Sequence, residues 1–165
     1  MSHVTKIDIT FRDLEALESA CKELGATLVR DVPTYNWYGK HGGDYPLPEG
    51  IKEEDLGKCT HVIRVPGVTY EVGVVAMPGG GFSILFDFWG GKTEGRGLQK
   101  VFCGSKIHPV MSDGEKIGEM RKYTHGMERL KQMYGIHAAT RAAKAKGYSV
   151  QRKQVGGTIK LAITV

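Results

Sequence analysis

Apolar and polar positions alternate in short runs along most of the chain, and two stretches fall at helical spacing instead. Residues 4–11 set Val4, Ile7, Ile9 and Phe11 against Thr5, Lys6, Asp8 and Thr10, which predicts a strand. Residues 12–24 follow with Leu14, Leu17, Cys21 and Leu24 three or four apart, the stripe of a helix. Gly25 stands where a glycine would stop that helix, and 27–32 read as the next strand, closing a strand–helix–strand unit. Three further strand runs, 61–65, 70–77 and 82–89, are separated by Pro66-Gly67 and Pro78-Gly79-Gly80-Gly81, the turn chemistry of an antiparallel meander.

Towards the C-terminus the period lengthens again. Ser112 with Glu115 three residues on is a capping box. Ile117, Met120, Thr124, Met127, Leu130, Tyr134, Ala138 and Ala145 then continue at helical spacing up to Gly147. Gly126 and Gly135 weaken the pattern and leave a kink or break open in this long helix. Residues 148–155 and 158–165 flank Gly156-Gly157, a two-residue hairpin signal. The segments 33–58 and 90–111 show no period. The expectation is a single α+β domain over 1–165 with a mainly antiparallel sheet and irregular inserts at about 33–58 and 90–112.

Composition narrows the class. Apolar content of 41% and charged content of 25% are those of an ordinary globular protein, and no apolar run approaches a membrane span. The opening residues carry no apolar leader, and three widely spaced cysteines fit reduced thiols, so a cytoplasmic setting is expected. Charge is polarised: the chain is +5 overall, yet no acidic residue follows Glu128, while eight cations do. A basic end of this kind invites phosphates.

Candidate chemistry is sparse. Gly90-Gly91-Lys92-Thr93 has the ending of a phosphate-binding P-loop, but Phe86 stands where its first glycine belongs. The loop can still meet an anion through Lys92 and Arg96, with glycine N–H groups left open. Cys59, His61, Cys103 and His108 are a zinc-compatible set at spacings that match no common template, beside the plainer reading of unrelated thiols and histidines. Asp87, inside an apolar run, is read as architectural. Tyr134 and His137 share a helix face with Arg141 and Lys144, a set able to stack a base and hold its phosphate, or simply to pack and rim the core. Tyr35, Trp37 and Tyr38 are either a stacking lid or a plug over an open sheet face. No motif of a hydrolase, zinc protease or dinucleotide enzyme occurs, which leans away from catalysis.

The helix Asp13-Leu14-Glu15-Ala16-Leu17, Leu24-Gly25, Val62-Ile63-Arg64, Tyr70-Glu71-Val72-Gly73, Asp87 with Trp89, and Tyr134-x-x-His137 before Ala142 and Gly147 carry a resemblance. The chain resembles the conserved chloroplast open-reading-frame family thirty-five, a domain of unknown function with plastid, cyanobacterial, bacterial and phage members. Trp37-Tyr38-Gly39 and Asp44-Tyr45-Pro46-Leu47-Pro48 are similar to its longer bacterial and phage variant. The resemblance implies a fold and no catalytic residue.

The leading expectation is a non-enzymatic binder of a small anionic ligand, a nucleotide or nucleotide-derived signal, with no cofactor and no metal. Its site residues are Tyr134, His137, Arg141, Lys144, Trp37, Tyr38, Lys92 and Arg96. In a phage setting such a binder would sequester a host immune signal. The alternatives are nucleic-acid binding through the basic C-terminal third, and an adaptor or self-assembling homo-oligomer that pairs through the terminal strand.

Overall fold

The computed structural model describes residues 2, 4–43, 46–103 and 127–165. Its centre is an antiparallel sheet of five strands in the order β1-β5-β4-β3-β2, formed by β1 (Val4–Lys6), β2 (Thr27–Val29), β3 (His61–Arg64), β4 (Val72–Ala76) and β5 (Phe82–Asp87). The meander expected from the turn residues is present as β3–β4–β5, and β1 and β2 flank it as the two edges. Strand β1 is shorter than its alternation suggests. The chain leaves the ladder after Ile7 and touches it again only where Phe11 bridges Phe82.

Helix α1 (Leu14–Glu23) connects the two edges. Asp13 caps it by accepting the Ala16 N–H at 3.0 Å, and Gly25, at φ +80°, ends it as its position predicted. Helix α2 (Gly95–Cys103) corrects the expectation of an irregular 90–112 insert over 95–103, while 104–112 lie outside the described residues. Gly90, Gly91, Gly95 and Gly97 read together as loop, but the last two are demanded by packing. A Cβ on Gly95 would overlap the backbone of Phe88 and Trp89, and one on Gly97 would strike Lys92 and Val68. Close approach lets Leu98 and Phe102 reach the core, outweighing about 1 kcal/mol of helix propensity lost per glycine.

Helix α3 (Glu128–Ala145) starts directly after Met127. Met127 takes a left-handed conformation, φ +38°, while its side chain is fully buried. The capping box at Ser112 and the helical positions Ile117, Met120 and Thr124 lie outside the described residues. Strands β6 (Ser149–Val155) and β7 (Thr158–Thr164) form the expected hairpin as a separate two-stranded sheet. Gly156 at φ +62°, followed by Gly157 outside the left-handed region, fits a type II′ turn.

Register explains the layers. Leu28, Ile63, Val72, Val74, Ile84 and Phe86 share one face and pack with Leu17, Ala20 and Cys21 of α1, Leu98 and Phe102 of α2, and Leu130 of α3. Val4, Val62 and Leu85 share the other, with Gly73 between them. No α-helix among the described elements packs on that second face. The 33–58 segment does, through Tyr35, Trp37, Ile51 and Leu56. Its ends are tied where Tyr35 N–H donates to Gly57 O and Cys59 N–H donates to Pro33 O, both at 2.9 Å. The Tyr35 ring lies over Gly73, where any Cβ would collide with it, and Trp37 lies over Gly57 in the same way. These two aromatics form the plug of the two sequence readings.

Asp87 is 1% exposed and is bound by the Ser2 hydroxyl and by the Trp89 N–H, the latter at 2.9 Å. Its structural reading fits that placement.

Candidate nucleic-acid interface

Helix α3 presents the predicted residues Tyr134, His137 and Arg141 to α1, and each is engaged there. The Tyr134 ring stands edge-on to Phe11 with centroids 4.7 Å apart. Its hydroxyl accepts the backbone N–H of Arg12 at 2.9 Å and of Asp13 at 3.1 Å, holding the start of α1. His137 Nε2 lies 2.6 Å from Glu23 Oε2, and Arg152 of β6 reaches the other oxygen of the same carboxylate at 2.6 Å. Arg141 Nε donates to Asp13 Oδ2 at 2.8 Å. Partial burial pushes the Glu23 and Asp13 carboxyls up. The hydrogen bonds and charges of His137 and Arg152, and of Ala16 N–H and Arg141, outweigh that push and hold both below the usual range.

The remaining predicted residues lie elsewhere. Trp37 packs on the second face of the sheet, so the five-stranded layer separates it from Tyr134. Tyr38, its neighbour, is 53% exposed. Lys92, Arg96 and Lys144 are exposed. In the glycine-rich loop one N–H is taken by a side chain of the loop itself: Gly91 N–H donates to Glu94 Oε2 at 2.8 Å. Gly90 can bring this about because a Cβ there would overlap Glu94. The eight residues therefore form no common pocket: Trp37 lies across the sheet, and Tyr134, His137 and Arg141 are held at α1, a part of the chain on which the C-terminal pattern carries no information.

The zinc-compatible set is likewise not assembled. Cys59 packs on the second face and donates to Val32 O at 3.0 Å, while Cys103 packs on the helix-covered face. His61 accepts the Asp31 N–H at 3.0 Å, and His108 lies outside the described residues. Burial pushes the Cys21 thiol up to about 12 and those of Cys59 and Cys103 up to about 11, which keeps them protonated at neutral pH. A groove of about 540 Å³ runs between residues 4–10 and Pro46–Glu49, with Lys6, Asp8 and Glu49 on its walls. Its charge is mixed, and it holds none of the predicted residues.

The basic end resolves into two groups. Lys131, Arg141 and Arg152 pair with Asp8, Asp13 and Glu23. Arg129, Lys144, Lys146, Lys153 and Lys160 are exposed, and no carboxylate among the described residues pairs with them. Register places two of these five together: Lys153 on β6 lies directly opposite Lys160 on β7. The same solvent-facing side carries Ser149, Gln151, Val155, Thr158, Ala162 and Thr164, all exposed. The opposite side of the ribbon turns Val150, Ile159 and Leu161 towards partial burial, and Arg152 there contacts Met133 Sδ at 3.8 Å. Sequence reasoning noted the hairpin cations without pairing them. The available signal was the turn itself, since counting outward from Gly156-Gly157 sets 153 against 160.

No family model, curated protein or solved structure matches the chain. What the coordinates define is the class, an α+β protein with a mainly antiparallel sheet. None of its described helices is long and apolar enough to cross a membrane.

Proposed function

We propose that the chain binds nucleic acid through the solvent face of the β6–β7 hairpin, with Lys144 and Lys146 at the end of α3 as flanking phosphate contacts. The observation that carries this reading is the exposed ribbon face bearing Lys153 opposite Lys160 and no carboxylate. Like charges directly opposite destabilise a strand pair, and an anionic partner removes that cost. A two-stranded ribbon fits the major groove of duplex DNA, and Ser, Thr, Gln and Lys are side chains that reach phosphates and base edges. The geometry gives less support to a compact nucleotide pocket, because Tyr134, His137 and Arg141 are already bound to α1.

The test is binding to duplex and single-stranded oligonucleotides across a salt series. Four phosphate contacts predict a slope of log K against log salt of about −3.6 on a duplex, an affinity loss of about 150-fold between about 50 and 200 mM. Lys153→Gln with Lys160→Gln should bring the slope to about −1.8. Absence of binding at about 50 mM salt, or a slope untouched by the double substitution, overturns the proposal.

A further inference from the structure

The outer edge of β7 is unpaired among the described residues, and its chemistry is self-complementary. A type II′ turn makes Val155 and Thr158 a hydrogen-bonded pair, so the alternate pairs Lys153/Lys160, Gln151/Ala162 and Ser149/Thr164 are hydrogen-bonded too. Ile159, Leu161 and Ile163 consequently turn their N–H and C=O groups away from β6. Every residue of β7 keeps some exposure, and Ile163 is 48% exposed. A seven-residue edge with Ile159, Leu161 and Ile163 at alternate positions offers a template for another strand.

We infer that a second copy of this chain pairs with it antiparallel along β7, centred on Leu161. In that register Leu161 faces its own counterpart, Ile159 faces Ile163, and Lys160 faces Ala162. The outward-turned backbone groups of both copies then meet as hydrogen-bonded pairs, the apolar side chains form one stripe, and no lysine opposes a lysine across the new seam. A register centred on Lys160 would set the two cations against each other, which favours the Leu161 register. The product is a four-stranded sheet, β6-β7-β7-β6, whose one face is free of carboxylates and carries Lys153 and Lys160 from each copy. A two-stranded ribbon is marginal by itself in water, and pairing adds two strands to the support the hairpin already draws from α3. The inference stands apart from nucleic-acid binding, since it concerns the edge and the proposed function concerns the face.

Sedimentation of the full chain at tens of micromolar should give a mass of about 36 kDa, twice the 18.1 kDa of one chain. Leu161→Pro removes an outward N–H while sparing the ladder to β6, a placement proline tolerates on an edge strand. It should yield monomer with an unchanged circular dichroism spectrum. Because that variant can also disturb the hairpin, Leu161→Cys provides a second reading. Under mild oxidation it should form a disulfide-linked dimer, and Ser149→Cys, on the far strand, should not. A monomer at about 100 μM, or a dimer that survives Leu161→Pro and in which Leu161→Cys fails to cross-link, overturns the inference. Loss of oligonucleotide binding with the dimer intact would count against the proposed function alone.

Discussion

Gly73→Ala sets two opposed magnitudes against each other. Gly73 has no positive φ, so alanine should be welcome in the middle of β4, worth about 0.5–1 kcal/mol in reduced unfolded-state freedom. Against this stands the ring of Tyr35, whose Cε1 would lie 2.6 Å from the new Cβ. Carbon atoms pack at about 3.5–4.0 Å, so the ring must retreat by roughly 1 Å. It has little room to do so, because Tyr35 is 4% exposed and is wedged between the sheet and the 33–58 segment. Overpacking of this kind costs about 1–3 kcal/mol, and a rigid aromatic obstacle puts it at the upper end. The net expectation is a loss of about 2 kcal/mol, a melting temperature about 4–8 °C lower for a chain of this size. Calorimetry or thermal circular dichroism measures it. In a Tyr35→Leu background the same alanine should be neutral or stabilising, since the obstacle is gone. A Gly73→Ala protein that melts at or above the parent would refute the interlock.

Other expectations follow from the same contacts. Tyr134→Phe removes the acceptor for two backbone N–H groups at the start of α1 and should cost about 1 kcal/mol, read from denaturant midpoints; no change would mean that water replaces the hydroxyl fully. Because Glu23 and Asp13 are held below their ordinary values of 4.5 and 3.8, they contribute stability above those values and lose it as pH falls through the lowered folded ones. Melting temperature should therefore drop between about pH 5 and pH 2, less steeply in Glu23→Gln, and equal slopes would contradict the assignment. Gly95→Ala meets backbone instead of a side chain and should destabilise more than Gly73→Ala, by about 3 kcal/mol or more in a urea titration.

The sequence pattern reached most of the sheet and little of the site, for separate reasons. Helix α1, the meander and the hairpin are local statements: a period, a turn residue and a cap lie within a dozen positions of one another. Helix α2 was hidden because Gly95 and Gly97 are chosen for the approach to Phe88, Trp89 and Val68, a tertiary demand that looks like a loop in one dimension. The start of α3 at Glu128 is not marked by any cap residue in the pattern, since Met127, left-handed and buried, is an unusual residue for that conformation. His137 and Arg141 of α3 look available because no acid is near them in sequence. Their acids, Glu23 and Asp13, stand at the two ends of α1, more than a hundred positions earlier. Charge surplus was readable, whereas charge that is free in space required the fold.

Closure of the second sheet face by a segment without strands or α-helices makes two exposed loops respond in opposite ways to cutting. A protease nick near Gly39 frees one end of the chain that holds Tyr35 and Trp37 in place, so Val62 and Leu85 take up water and the sheet loses a wall. A nick at Gly156-Gly157 severs only the tip of the ribbon. The irregular segment is thus interior in its consequences, and shortening it would be felt as the loss of core, while the regular hairpin can be trimmed with the core left whole.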